Sequence, residues 1–255
     1  MDYRYEENEA SYQRLEKTAD RAVDYAGRSF DNFDLRPFLE AVLSLMTFSG
    51  RHPRAFEYGT GTGSGACFLA ARGFVVDAVD ISPTAISLAR RFADERGLTV
   101  SFTVCDIRSM TPPGPLYDLV VDNFCLQQLV SDGERRSVLS MARSLLKPGG
   151  YFIIGTVLYR AGRDFGTDRF DPSTGIVYRR LPADSGTHEA AVRDGAEWLV
   201  PWRRYVLSPE LLRAELERAG FRGTYQDGAR CLCVLADRPA GGLPSPADCG
   251  GTVLP

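Results

Sequence analysis

The segment Phe56-Glu57-Tyr58-Gly59-Thr60-Gly61-Thr62-Gly63 places alternate glycines directly after a short apolar run. Such a stretch makes the backbone turn tightly and lets a neighbour approach closer than any side chain permits. Glycine removes the Cβ that would block both. The surrounding pattern is equally constraining. Arg54 to Tyr58 reads as a strand, Gly63 to Arg72 as a helix, Phe74 to Asp80 as a strand, and Pro83 to Gly97 as a helix with Ile86, Ala89, Arg90 and Ala93 in register. Leu98 to Val104 and Tyr117 to Asp122 follow as strands, Glu134 to Leu146 as a helix and Tyr151 to Thr156 as a fifth strand. Alternating strands and helices predict a parallel sheet with helices on both faces, because parallel neighbours need crossover connections. The expected fold class is doubly wound α/β.

Two helices are expected before the glycine segment. The first spans residues 9–26, with Tyr12, Leu15, Ala19, Ala22, Val23 and Ala26 at helical spacing, and stops near Gly27; the second runs from an Asp34 N-cap with Pro37 in its first turn to Met46. Beyond the fifth strand the alternation lapses. Residues 170–178 and 192–198 each place turn chemistry between β-prone residues, which predicts hairpins. Ser208-Pro209-Glu210 opens another helix that stops at Gly220, and a closing antiparallel hairpin turns at Asp227-Gly228. The expected organisation is an N-terminal helical cover over 1–50, a main α/β domain over 51–237 with an insert at about 157–207, and a loose tail over 238–255.

Composition narrows the partners. With 30 Lys and Arg against 33 Asp and Glu, the formal net charge of -3 offers no basic field for nucleic acid or an anionic membrane. The six cysteines, Cys67, Cys105, Cys125, Cys231, Cys233 and Cys249, are scattered rather than paired at metal-ligand spacing. They read as free thiols in a reducing cytoplasm, with no metal. A charged N-terminus, and no apolar run near the roughly 20 residues of a spanning helix, predict a protein that is neither exported nor membrane-embedded. The sequence carries no signature of an oligomeric state.

A glycine loop between strand and helix presents backbone N-H groups and a helix N-terminus to a ligand. A dinucleotide fingerprint can be laid on Gly61, Gly63 and Ala66, with Asp80 as ribose carboxylate. Against it stands Glu57, two residues before the first glycine, whose anion suits a ligand bearing ammonium or sulfonium and repels pyrophosphate. Asp80, ending the second strand, can accept both ribose hydroxyls of any adenosine ligand. Asp106, ending the third, can accept a hydrogen bond from an adenine amino group.

With these residues the chain resembles the class I S-adenosylmethionine-dependent methyltransferases, over roughly 54–156 plus the terminal hairpin. Glu57-Tyr58-Gly59-Thr60-Gly61-Thr62-Gly63 is similar to that family's glycine motif, which implies that Glu57, Tyr58, Gly59 and Gly61 surround the methionine part of S-adenosyl-L-methionine. The resemblance places Asp80 at the acidic ribose position with Ile81 beside adenine, and Asp106-Ile107 at the adenine edge. Asp118 to Asn123 resembles the fourth-strand motif, whose end, Asp122 and Asn123, faces the methyl group; Asp118 itself reads as structural. The implied fold is Rossmann-like, a seven-stranded sheet with the last strand antiparallel.

Methyl transfer from a sulfonium needs an acceptor held in line, desolvated and, where it starts protonated, deprotonated. The candidates for catalysis are His188 in the insert and Asp122; His52 precedes the first strand and reads as exposed. Asp122-Asn123-Phe124-Cys125 differs from the motif of enzymes that methylate base amines. The insert interleaves Tyr159, Phe165, Phe170, Tyr178, Trp198, Trp202 and Tyr205 with Arg160, Arg163, Arg169, Arg179, Arg180, Arg203 and Arg204. This suits a small molecule with a flat apolar body and a carboxylate; packing of the hairpins with a solvated arginine face is the other reading. The expected activity is methylation of a small molecule at oxygen, a carboxylate included, in specialised metabolism. Methylation at nitrogen, of a small molecule or short peptide, is an alternative. So is a methyltransferase-like protein that binds the cofactor as a binding module or catalyses a rearrangement.

Overall fold

The computed structural model describes residues 3–18, 22–112, 116–181, 188 and 190–236. Its strands are β1 (Arg54–Tyr58), β2 (Val75–Asp80), β3 (Ser101–Val104), β4 (Tyr117–Asn123), β5 (Leu146–Gly155), β6 (Arg169–Phe170), β7 (Ile176–Arg180), β8 (Val192–Asp194), β9 (Glu197–Arg204), β10 (Phe221–Asp227) and β11 (Arg230–Leu235). Seven of them form one sheet in the order β10-β11-β5-β4-β1-β2-β3. The first five are parallel, and β11 runs antiparallel between β5 and β10. This is the doubly wound sheet with an antiparallel last strand that the sequence predicts.

Side-chain parity explains the layers. Ala55, Leu119, Val121, Tyr151, Ile153, Leu232 and Val234 face one core, while Phe56, Val120, Phe152, Ile154, Cys231 and Cys233 face the other. Successive strand residues point to opposite faces, so a sheet covered on both sides reads as unbroken apolar runs. The first core is covered by α1 (Tyr3–Thr18), α2 (Arg36–Leu43), α3 (Ser64–Ala70) and α4 (Pro83–Asp94), and the second by α5 (Asp132–Leu145) and α6 (Pro209–Arg218). Capping fixes where several helices begin. Ser82, Ser131 and Ser208 each accept a backbone N-H from the residue three positions on, with Ser131 and Glu134 forming a reciprocal capping box.

The N-terminal helices differ from expectation. α1 ends at Thr18, and the chain over 22–29 makes a turn in which Val23 pairs with Ser29. Asp24 is the cause: its carboxylate accepts the Arg28 backbone N-H at 2.8 Å and pairs with the Arg28 guanidinium at 3.1 Å, an alternative to helix that short acidic side chains favour. Arg28 also draws Asp34 to 2.7 Å, so Asp34 does not cap α2, which begins at Arg36. β5 starts at Leu146 rather than at Tyr151, carrying Lys147 to Gly150 alongside an irregular register with β4. The predicted hairpins at 170–178 and 192–198 form and merge through β7 and β9 into a second, four-stranded sheet. The tail over 238–255, with Cys249, lies outside the described residues. Among those described, no helix is long and apolar enough to cross a membrane.

Candidate active site

A cavity of about 500 Å³ opens at the C-terminal ends of the parallel strands, within the 300–1,000 Å³ of small-molecule sites. Its floor is the loop after β1. Gly59, Gly61 and Gly63 have φ of 62, 56 and 85°, a region that penalises any Cβ. Space excludes one as well: a Cβ on Gly59 would lie 2.5 Å from Cys125, one on Gly61 would lie 2.8 Å from the Tyr12 hydroxyl, and one on Gly63 would lie 2.9 Å from the Phe102 ring. The loop is pinned by the Thr60 N-H on the Val79 carbonyl at 3.0 Å.

Glu57 is wholly buried under this loop and takes no part in the cavity wall. One of its oxygens accepts the Thr60 hydroxyl at 2.5 Å, and the other abuts Gly65 closely enough that no side chain fits there. Burial pushes its carboxyl up to about 7, against the pull of Thr60, Asn123 and the Ala66 N-H. Gly65, whose small size this contact demands, escapes sequence reasoning because its partner lies on another element.

Asp80 stands in the wall at the end of β2. One oxygen accepts the Gly61 N-H at 2.8 Å and the other the Ser82 N-H at 2.9 Å. Each carboxylate oxygen has two lone pairs, so both keep accepting capacity. Ile81, Ile107 and Asn123 line the same cavity. Asp106 also lines it, but Arg108 holds its carboxylate at 2.8 Å and in turn reaches Glu134 at 3.2 Å. An adenine-edge group built there is therefore an ion pair rather than a lone carboxylate.

At the end of β4, Asp122 is wholly buried below the wall. Its oxygens accept the Cys125 N-H at 2.7 Å and the Leu126 N-H at 3.1 Å, and the Tyr58 hydroxyl lies beside it. Burial pushes this carboxyl up to about 7. Neither Tyr58 nor Asp122 lines the cavity. Between Asn123 and Cys125, Phe124 is the one non-glycine residue in left-handed backbone among the described residues (φ 64°), and it faces the cavity. Such conformations persist where the surroundings enforce them; here the Phe124 N-H on the Gly155 carbonyl and the Asp122 bonds on either side do so.

Three parts of the wall come from outside the central sheet, and the turn and loop after α1 supply one of them, with Asp24, Tyr25 and Arg28. α1 contributes Arg4, Tyr5, Asn8 and Tyr12. It is fastened by Arg4 to Glu134 at 2.6 Å, by Glu9 to the Ser82 and Thr84 hydroxyls at 2.5 Å, and by Glu7 to Arg179 of the insert at 3.4 Å. The insert contributes Arg163, Arg203 and Tyr205. Tyr159, Phe165 and Phe170 instead stack on one another with centroids 4.5 and 4.8 Å apart, so these three rings serve hairpin packing. His188 does not line the cavity, and its carbonyl accepts the Ala191 N-H. His52 is exposed, as expected.

Residues 55–150 match the family described as a methyltransferase domain. A 2-heptyl-1-hydroxyquinolin-4(1H)-one methyltransferase of Mycobacteroides abscessus is 31% identical over 44% of this chain and half of that protein's length. A ubiquinone biosynthesis O-methyltransferase of Coxiella burnetii is 26% identical over 70% of this chain and 74% of its own. Among solved structures, the CcbJ methyltransferase of Streptomyces caelestis superposes with a TM-score of 0.66 at 20% identity, covering 90% of this chain and 99% of that one. Residues 55–150 thus match a methyltransferase domain, and these comparisons support a class I S-adenosylmethionine-dependent methyltransferase. They support an enzyme with S-adenosyl-L-methionine as cofactor.

Proposed function

We propose that this enzyme methylates an oxygen of its small-molecule substrate. The observation that carries the reading is a cavity that runs from Asp80 at the strand ends to Arg163, Arg203 and Tyr205 of the insert, with no histidine among the described residues of its wall. The residues fit the cofactor. Asp80 keeps lone pairs for two ribose hydroxyls, Ile81 and Ile107 offer apolar faces for adenine, and Asp106, tied to Arg108, marks the adenine edge. Gly59 and Gly61 leave room for the methionine part. Asn123 stands where the methyl group faces, while Glu57, Tyr58 and Asp122 hold the two loops from beneath. Residues 1–50 act as the cover: α1 closes the cavity by pairing with α5, α4 and the insert at once.

When bound, the cofactor supplies the electrophilic methyl group. The chain's own contribution is positional: it holds the acceptor in line and excludes water, which is worth several orders of magnitude in rate. No histidine takes a proton here, so the acceptor must ionise easily. Acidic hydroxyls and carboxylic acids do so near neutral pH, whereas protonated amines do not. The O-methyltransferase named among the relatives supports the same choice.

Two measurements test this. Calorimetry with S-adenosylhomocysteine should show binding that Asp80→Ala weakens about 10- to 100-fold, the worth of charge-assisted hydrogen bonds; unchanged affinity would place the ribose elsewhere. Mass spectrometry of mixtures containing S-adenosylmethionine and matched phenols, carboxylic acids and arylalkylamines should show oxygen methylation. Methylation confined to the amines would overturn the reading.

A further inference from the structure

We propose that Arg163 and Arg203 form an anion-binding subsite that anchors an oxyanion of the acceptor, a carboxylate or phosphate, away from the atom that is methylated. The inference rests on the methyltransferase reading above and adds the substrate's second functional group.

Five guanidinium groups face the cavity, and three are already occupied. Arg4 pairs with Glu134 at 2.6 Å, Arg28 with Asp24 at 3.1 Å and Asp34 at 2.7 Å, and Arg108 with Asp106 at 2.8 Å. Neither Arg163 nor Arg203 meets a carboxylate among the described residues. Arg203 is half-buried, and its Nε is buried with no hydrogen-bond partner. Two neighbours on the same sheet contrast with it. Arg204, one position on and therefore on the opposite face, pairs with Asp132 at 2.5 Å and reaches the Thr174 carbonyl at 3.1 Å. Arg179 pairs with Glu7 at 3.4 Å and Asp168 at 3.8 Å. Of the five guanidinium groups that face the cavity, Arg163 and Arg203 are the two that meet no carboxylate among the described residues.

Both are held on aromatic platforms. Arg163, at the rim, lies 4.8 Å from the Tyr205 ring, and Arg203 lies 5.2 Å from the Trp202 ring; both rings are buried. Stacking occupies the flat face of a guanidinium and leaves its N-H edge for an oxyanion, which it grips with paired hydrogen bonds. The same bonds stabilise the anion and lower its nucleophilicity. Hence the group gripped here is an anchor, and the methylated oxygen lies elsewhere on the molecule. That anchor fixes the acceptor's direction in the cavity, which is what in-line transfer requires.

The test uses the full chain saturated with S-adenosylhomocysteine and a panel of 1-naphthoate, 1-naphthyl phosphate and neutral 1-naphthamide, titrated by ligand-observed NMR. At least one anion should bind tenfold or more tightly than the amide, and which one does identifies the source of the oxyanion. The preference should vanish in Arg163→Gln/Arg203→Gln and persist in Arg204→Gln. Equal binding of amide and anions, no binding of either anion, or a preference that survives the double variant would overturn the proposal. So would a tenfold loss of S-adenosylhomocysteine affinity in the double variant, which would give the pair to the cofactor's own carboxylate. Should the double variant melt early, the rim substitution Arg163→Gln alone must still cut the preference at least threefold. Failure of the wild-type protein to bind S-adenosylhomocysteine would instead strike the methyltransferase reading, so the two failures are separable.

Discussion

Asp122 offers a direct test of how a buried carboxylate shapes this site. It is fully enclosed, and the Cys125 and Leu126 N-H groups at 2.7 and 3.1 Å only partly offset the lost hydration, so its carboxyl rises from 3.8 to about 7. A rise of about three units corresponds to roughly 4 kcal/mol. Between pH 4 and 7 the folded chain holds a proton on this carboxyl that the unfolded chain has released, so its contribution to stability is greatest below pH 4, falls as pH rises through that window, and levels off above it. Glu57, raised from 4.5 to about 7 by burial, adds a slope of the same sign worth roughly 3 kcal/mol. Asp122→Asn removes one of the two slopes. It also loses an acceptor, because an amide has one oxygen for the two N-H groups, at a cost of about 1–3 kcal/mol. Urea unfolding followed by circular dichroism should therefore find the variant less stable than wild type at pH 4 and more stable than it at pH 8. Parallel stability profiles would refute the reasoning, because they would mean that Asp122 carries the same charge in both states.

Arg135, buried between α5 and α6, grips Glu215 at 2.6 and 2.7 Å and the Leu126 carbonyl at 3.0 Å. Arg135→Ala should cost about 3 kcal/mol in urea unfolding, the lower end for a broken buried pair because Glu215 retains some access to water. Phe124→Gly should relieve about 1–2 kcal/mol of left-handed strain while emptying part of the wall, so turnover should fall more than the melting temperature moves; an equal loss of both would mean that the ring acts only in packing. His188→Ala should leave kcat within twofold of wild type, and a tenfold fall would return His188 to the mechanism.

What could be read from the sequence divides along physical lines. The glycine loop, Asp80 and both insert hairpins were legible because each rests on local chemistry: left-handed turns, a strand end, a turn between β-prone runs. The end of the first helix was not, because Asp24 and Asp34 are set by Arg28, a competition that helical spacing ignores. Glu57 was recognised as special, yet its position at a strand end could not say whether it meets the ligand or supports the loop from beneath. Asp106 looked like a lone acceptor because the residue that occupies it, Arg108, read as one more surface charge.

The insert makes the same point most sharply. Arg203 and Arg204 are adjacent and chemically identical, and only the sheet's parity sends one to Asp132 and the other to the cavity. With that assignment the cavity gains a polarity: the Asp80 carboxylate lines it at the strand ends, where Asp106 is neutralised by Arg108, and the two guanidinium groups that meet no carboxylate line it at the insert. A cationic methyl donor at the acidic end and an anionic acceptor at the basic end would each be drawn to its own side, and the attraction between them favours the in-line approach. Such fields are screened by salt over about 10 Å at 0.1 M. Raising ionic strength should therefore weaken the acceptor, held by exposed Arg163, more than the cofactor beside buried Asp80. KM for the acceptor should rise with salt while KM for S-adenosylmethionine stays nearly flat, and an equal response of the two would remove the polarity argument.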